Sequence, residues 1–250
     1  NLASLYFRAF DEKFVEEIRS YAINYFRKIL SNLGWEPKKS DKHTDALLRT
    51  FAIAVLGKMN DETVTDEAIK KYKKFLKSPR SLSPDLIETI CSIAAWNGNS
   101  KTFAELKKLY TNAKTMEEKL RFLGAMCGFQ DKKLLVKTLD FSQTSAVRSQ
   151  NMQLPIMKIA GNPYGDKVLW PWLKKNWKKI NKKVGHGNPL FNRIVASIAG
   201  VADDSMEKEI KLFFKNNPTP GTERTQSQTL ERIRINSKFL RTMRKEFKNG

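Results

Sequence analysis

The chain has 250 residues, with 46 Lys or Arg against 26 Asp or Glu and a formal net charge of +20 at pH 7. Its length allows a hydrophobic core without disulfide or metal staples, and its longest apolar run, residues 51–56, is far shorter than the roughly 18 residues of a membrane span. No membrane-spanning segment is therefore expected in this chain, while the charge leaves two explanations open: an anionic partner, or a general solubility device.

Residues 1–13 are predicted to be an N-terminal segment that precedes the folded part. They do not have the pattern of a signal peptide, because Arg8, Asp11 and Glu12 interrupt the apolar stretch. The chain starts with Asn instead of Met, which favours a fragment or a processed product. Cys91 and Cys127 lie in apolar runs and are predicted to be buried thiols, not a disulfide. They favour a reducing compartment, and we expect a cytoplasmic protein.

Helices are predicted throughout, since apolar residues recur at three- and four-residue spacing and alternation of period two is scarce. From residue 86 onward a unit of helix, Gly-containing corner and second helix occurs four times, with corner glycines 30, 33 and 39 residues apart: Gly98, Gly128, Gly161 and Gly200. This spacing is typical of stacked helix pairs. The sequence predicts an all-α fold, an α-α superhelix (a HEAT-like solenoid of antiparallel helix pairs) over residues 14–248, with an irregular helical bundle as the alternative.

Residues 160–183 combine three tryptophans with seven lysines, six of which lie between positions 174 and 183. At about 100° per residue, Trp170, Trp172 and Trp177 share one side of a helix, and the lysines occupy the other: Lys174, Lys175, Lys178, Lys179, Lys182 and Lys183. This sorting predicts core tryptophans, because bases stacking in a charged groove would require aromatic and basic residues to interleave. Pro171 is expected in the first turn or at a kink. The six lysines form a possible basic surface, although such faces are as a rule only solvated.

The sequence contains no recognisable catalytic motif. Only two histidines occur, His43 and His186, 143 residues apart, so neither has a metal-ligand partner at useful spacing and both are expected to be surface or capping residues. No nucleophile elbow, P-loop or dinucleotide-binding glycine motif is present. We therefore predict no catalytic residue and no metal ligand, and GAMCG at 124–128 is expected to be core packing.

Four ordered blocks carry a family resemblance: LGWEPKKSDKHTDALLRTFAIAVLGKMND (33–61), VRSQNM (147–152), GNPYGDKVLWPWLKKNW (161–177) and FFKNNPTPGTERTQSQTLERIRIN (213–236). They resemble the C-terminal helical domain of the zinc-dependent gluzincin aminopeptidases, such as the puromycin-sensitive, alanyl and tricorn-interacting enzymes. The resemblance implies that residues 1–250 form one domain of a larger enzyme. In that enzyme the zinc ligands, the glutamate base and the G-x-M-E-N motif lie upstream, so this segment holds no cofactor.

The resemblance also implies a role and partners. The family's helical domain forms a bowl that encloses the peptide cavity and helps to restrict or position peptides, whose N-terminal residues the enzyme removes. The expected partners are the catalytic domain of the same polypeptide and the peptide; nucleic acid and membrane are not expected. The candidates for contact with the peptide C-terminus, or with another domain, are Arg148, Gln150, Tyr164 and Arg193.

Two alternatives stay open at this point. Asn151 stands where the family has Asp, which puts a charge-pairing role of that position in doubt, and Arg148 and Gln150 are equally suited to bonding neighbouring helix ends. The alternative from another functional class is a stand-alone helical scaffold. Such a scaffold would bind acidic partners or nucleic acid through its lysine-rich helix faces.

Overall fold

A computed structural model describes residues 6, 7, 9, 12–185, 188–201 and 203–247. Throughout these residues the regular secondary structure is helical, and none of them lies in a β-strand. The predicted all-α class is therefore confirmed. The chain divides into two compact units, Asn1–Gln130 and Asp131–Gly250, which are taken in turn.

The first unit is built around a central helix. Its helices are α1 (Val15–Leu33), α2 (His43–Lys58), α3 (Glu62–Lys77), α4 (Pro84–Trp96), α5 (Ser100–Asn112) and α6 (Met116–Ala125). Helix α4 packs against α2, α3 and α6, while α1 packs on α2 and α5 on α6. Because α4 has neighbours on several sides, Ile90, Cys91 and Ala95 are completely buried.

The second unit has α9 and α8 at its centre. Its helices are α7 (Lys132–Ser142), α8 (Gln153–Ala160), α9 (Asp166–Val184), α10 (Pro189–Ser197), α11 (Glu207–Asn216) and α12 (Glu223–Glu246). Helix α9 packs on α7 and α8, and α10 packs on α8 and α12. Short 3-10 turns precede α8, follow α10 and precede α11.

The chain's own polar side chains determine several helix starts. Asp61 accepts the Val64 backbone N–H at 3.0 Å at the start of α3, and Asn188 accepts the Leu190 N–H at 3.0 Å at the start of α10. Thr115 and Glu118 form a reciprocal capping box at the start of α6. These bonds satisfy N–H groups that have no partner inside the helix.

The four predicted segments of helix, corner and helix are present in chain order: α4/α5 lies in the first unit, α8/α9 and α10/α11 lie in the second, and α6 and α7 lie on opposite sides of the boundary in sequence between the units. Three corner glycines, Gly98, Gly128 and Gly200, are needed because backbone approaches them closely. A Cβ on Gly200 would lie 2.5 Å from the Ala160 carbonyl oxygen, and one on Gly128 would lie 2.9 Å from the Ser92 carbonyl oxygen. Superhelical stacking of these segments, and their grouping into one domain, stay predictions.

The remaining core predictions agree with the structure. Cys91 and Cys127 are buried and form no disulfide, and burial raises the pKa of the Cys91 thiol, with a smaller contribution from the charge of Glu88. Residues 124–128 are buried, as expected for core packing. His43 is exposed at the first position of α2, whereas His186 lies outside the described residues. Among the described helices, none combines the length and the apolar character that crossing a bilayer requires.

Candidate functional site

The tryptophans of α9 point into the core of the second unit, as the angular sorting predicts. Trp170, Trp172 and Trp177 are 2%, 5% and 2% exposed. Indole Nε1 of Trp172 donates to Asp140 Oδ1 on α7 at 2.8 Å, and that of Trp170 donates to Glu209 Oε1 on α11 at 3.2 Å. Pro171 lies inside α9 with an exposed ring, beyond the first turn. The tryptophans are therefore unavailable for stacking on a ligand.

Five of the six candidate lysines are exposed, all except Lys183, and four of these five have no ion-pair partner among the described residues: Lys175, Lys178, Lys179 and Lys182. They lie three and four residues apart, so their side chains are neighbours on one side of α9. None of the four forms an ion pair with any residue in the part of the chain that the structure describes. Of the six lysines of the predicted basic surface, these four remain exposed and without an ion pair, and we call them the lysine face.

The other two lysines are engaged by the protein. Lys174 forms an ion pair with Glu209, and its Nζ lies 5.6 Å from the centre of the Trp170 ring. The prediction that Lys183 points outward is wrong, because this residue is half-buried. Its Nζ donates to the carbonyl oxygens of Ser142, Thr144 and Val147 at 3.2, 3.0 and 3.2 Å. Burial, followed by the charge of Lys179, lowers the pKa of Lys183.

Lys174 and Lys183 contact neighbouring elements because they lie at the two edges of the sector of α9 that the lysines occupy. Lys174 and Lys183 border the apolar stripe of α9, and a long side chain there reaches across to the neighbouring element. Lys183 thereby satisfies carbonyl groups at the end of α7, a role usual for a cation at a helix C-terminus. The basic surface is narrower than the sequence suggests.

The four candidates for peptide or interdomain contact all belong to the second unit. Arg148 and Gln150 are exposed and lie just before and within the 3-10 turn Ser149–Asn151, against which α9 packs. Tyr164 is half-buried in the corner between α8 and α9, where its backbone N–H donates to Asn162 Oδ1 at 2.9 Å. Arg193 is exposed on α10, which packs on α8. All four therefore lie on mutually packed elements of one unit.

The two arginines have no ion-pair partner among the described residues, as is the case for most Lys and Arg residues of the second unit. By contrast, Arg234 and Lys211 both pair with Glu207, and Arg241 pairs with Asp204. Hydrogen bonds from Arg234 and then from Lys211 lower the pKa of Glu207 to about 2. Arg148 and Arg193 are thus exposed arginines without an ion pair in the described part of the chain.

Metal chemistry has no candidate donor set in the described part of the chain. No group of three or more His, Cys, Asp or Glu side chains is close enough there to hold a metal ion. An open depression of the first unit is lined by Trp35, Thr63, Asp66, Glu67 and Lys70. The residues that line it include no histidine or cysteine, and Lys71 contacts two of them, since it pairs with Glu67 and its Nζ lies 5.6 Å from the centre of the Trp35 ring.

Sequence reasoning missed the acidic partners of the tryptophans and the carbonyl partners of Lys183. The paired residues are 32 to 41 positions apart. Helical periodicity orders residues within one helix, and it carries no information on which residue of a second helix stands opposite. No signal in the sequence would have identified these pairs.

Comparison with known proteins gives a consistent result. The family model "ERAP1-like C-terminal domain" matches residues 1–235. Aminopeptidase M1-B of Oryza sativa subsp. japonica is 26% identical over 235 residues, covering 92% of this chain and 27% of that protein. Aminopeptidase M1 of Arabidopsis thaliana is 26% identical over 241 residues, covering 94% and 27%. Aminopeptidase 2, mitochondrial, of Saccharomyces cerevisiae is 26% identical over 224 residues, covering 87% and 23%. The chain thus spans about a quarter of the length of these relatives.

Proposed function

Since the chain belongs to the ERAP1-like C-terminal domain family, we propose that it is the non-catalytic helical domain of a zinc aminopeptidase and encloses the peptide-binding cavity of that enzyme. The observation that carries the proposal is the family match over residues 1–235, joined to aminopeptidase relatives that cover about nine-tenths of the chain. The all-helical structure is compatible with this role. The cytoplasm stays our predicted compartment.

In this proposal the chemistry belongs to the rest of the polypeptide. Zinc held there would supply an activated water that attacks the N-terminal peptide bond. The chain itself has two histidines, 143 residues apart in sequence. Its contribution is to limit access and to hold the far end of the peptide.

Arg148 and Arg193 are the groups best suited to hold that end. A peptide C-terminus is a carboxylate, and guanidinium groups bind carboxylates through paired, charge-assisted hydrogen bonds. Both arginines are exposed and have no ion-pair partner among the described residues. Gln150 and Tyr164 add neutral donors on neighbouring elements of the same unit. We propose these four residues as the contact for the peptide carboxylate.

The gene that encodes this chain provides the first test. Upstream of Asn1 it is expected to encode H-E-x-x-H followed by a distal Glu. The purified 250-residue chain is expected to release no product from aminoacyl chromogenic substrates and to hold no stoichiometric zinc, measured by elemental analysis. An upstream region without the motif would refute the enzyme proposal. It would favour the alternative of a stand-alone scaffold, whose supporting observation is the solvent-facing lysine face.

Substitution in the full-length enzyme tests the residue roles. Arg148→Ala and Arg193→Ala are each expected to raise KM for peptides by about 10-fold or more, since a hydrogen bond to a charged group contributes roughly 1.5–3 kcal/mol. Aminoacyl substrates without a distal carboxylate should be cleaved at the wild-type rate. C-terminally amidated peptides should show the raised KM even with the wild-type enzyme.

The matched control is Arg224→Ala, which removes another exposed arginine of the second unit. It should leave all three substrate classes unaffected. If Arg148→Ala raised KM equally for peptides with a free carboxylate and for amidated peptides, the proposed contact would be excluded, because the effect of the arginine would then not depend on the carboxylate.

A further inference from the structure

An exposed apolar surface occurs on the first two helices of the first unit. Five large side chains there face solvent: Tyr21 64%, Tyr25 50%, Leu47 60%, Leu48 40% and Phe51 42% exposed. Single exposed apolar residues are ordinary in folded proteins, whereas a grouped set marks an interaction site. We call these five residues the α1–α2 surface.

The five side chains form one continuous surface. Tyr21 and Tyr25 are four residues apart on α1, as are Leu47 and Phe51 on α2, so each pair forms a row along its helix. The rows are joined by rings in contact: Phe26 meets Tyr25 at 5.3 Å and Phe51 at 5.6 Å between ring centroids. Because α1 packs directly on α2, the two rows lie side by side.

Helix α1 is apolar on more than its core-facing side. Its buried stripe is Ile18, Ala22, Phe26 and Leu30, and the row of Tyr21 and Tyr25 lies outside that stripe. A helix with water on its outer face normally carries polar residues there. Tyr21 and Tyr25 are still at least half exposed, so much of the second apolar row is left uncovered by the packing of this unit.

The chemistry of the surface separates it from a nucleic-acid or lipid-headgroup site. Its five members carry no charge, while the α1 row is bordered one turn away by Glu17 on one side and Lys28 on the other. Phosphate groups are bound mainly by Lys and Arg. An aromatic centre with charged residues at the rim is instead the composition of a protein–protein interface.

We propose that the α1–α2 surface packs against the part of the aminopeptidase polypeptide that precedes this domain, an inference that rests on the proposed function. The family is a C-terminal domain, and the matched segment makes up 27% of Aminopeptidase M1-B. About three-quarters of that relative therefore lies outside the matched segment. A domain of so long a polypeptide has other parts of the same chain to contact, and an uncharged surface with an aromatic centre is the kind of surface that such a contact buries.

Hydroxyl-radical footprinting tests the assignment on intact proteins. Tyr21, Leu47 and Phe51 are expected to react readily in the 250-residue chain and at least 5-fold more slowly in the full-length enzyme. Buried Phe26, at 5% exposure, should react slowly in both. Equal reactivity of the three residues in the two proteins would overturn the proposal. Protection that already appears in the 250-residue chain, and grows with its concentration, would overturn it in favour of a second copy.

A double variant, Tyr21→Gln with Leu47→Gln, gives an independent measurement. Both side chains are at least 60% exposed, so the isolated chain should keep its melting temperature. In the full-length enzyme the melting temperature should fall by several degrees. The matched control Leu212→Gln, at 58% exposure on α11, should change neither protein. Unchanged melting of the full-length double variant would contradict the proposal.

The two proposals fail in different ways. A gene without an upstream zinc motif would refute the aminopeptidase assignment. An active full-length enzyme in which the α1–α2 surface reacts as in the isolated chain would refute only the interface.

Discussion

Arg49→Ala is expected to lower the free energy of unfolding of the first unit by about 3–5 kcal/mol, the usual loss when one member of a buried charged network is removed. Arg49 on α2 is 1% exposed. Its Nε donates to the Gly34 carbonyl oxygen at 3.0 Å, and its Nη2 donates to the Leu33 carbonyl oxygen at 3.2 Å and to Asp41. Alanine would leave two carbonyl groups and a carboxylate without this donor, and would open a cavity.

The position of Arg49 explains why one side chain has such a large effect. Helix α1 ends at Leu33, where its last carbonyl groups have no N–H partner within the helix. The chain then turns at Gly34, whose φ of +72° suits glycine, and leads through Asp41 into α2. Arg49 joins the end of α1, the loop and α2 at one point. Loss of its guanidinium therefore affects the first helix pair as a whole.

The acid dependence of stability should change in the same variant. The Lys38 backbone N–H, followed by the hydrogen bond from Arg49, lowers the pKa of Asp41. A lowered carboxyl pKa contributes stability above the unfolded value of about 3.9, and this is lost as the pH falls through the folded value. Without Arg49 that contribution shrinks, so stability of the variant should fall less steeply below pH 4.

Urea unfolding at pH 7 and pH 3, followed by tryptophan emission, measures both effects. Arg80→Ala provides the control, because Arg80 is exposed in a 3-10 turn of the same unit. Its effect should stay within about 0.5 kcal/mol. A change of less than about 1 kcal/mol for Arg49→Ala would show that the network contributes little.

Helical periodicity was enough to predict the fold class and the orientation of α9. Spacing within one helix decides which side chains share a side, and this is why Trp170, Trp172 and Trp177 could be placed in the core. The corners were predictable for a similar reason, since Gly, Asn and Asp have local conformational preferences. The family resemblance, confirmed by the match over residues 1–235, added what local patterns lack, namely a function.

Contacts between helices were beyond the reach of these rules. Lys183 illustrates the limit: its angle on α9 placed it with the outward lysines, yet three carbonyl groups near the end of α7 draw it inward. Arg49 carries a charge in an apolar helix and gave no sequence signal for burial. The α1–α2 surface was missed for the opposite reason, because periodic apolar residues are taken as core, and only packing shows which of two apolar rows is covered.

Trp177→Ala is expected to lower the free energy of unfolding of the second unit by about 3–5 kcal/mol, the usual cost of removing a large aromatic side chain from a core. Its ring meets those of Phe191, Phe213 and Phe214 at 5.5, 5.3 and 5.7 Å between centroids. These contacts connect α9 with α10 and α11. Trp177→Phe should cost less, since Trp177 Nε1 has no hydrogen-bond partner among the described residues, so phenylalanine would leave no acceptor unpaired.

The same substitution discriminates between a tryptophan of the core and a tryptophan of a nucleic-acid binding site. A tryptophan that stacks on bases would, when replaced by alanine, leave stability nearly unchanged and weaken single-strand binding by about 1–3 kcal/mol. Replacing a core tryptophan by alanine would instead lower the free energy of unfolding and would not remove a stacking contact with bases. Urea unfolding of Trp177→Ala, with Lys178→Ala as the exposed neighbour expected to stay within about 0.5 kcal/mol, separates the two. A stable Trp177→Ala protein would mean that α9 packs differently, and the lysine face would then have to be reconsidered together with its tryptophans as a single binding surface.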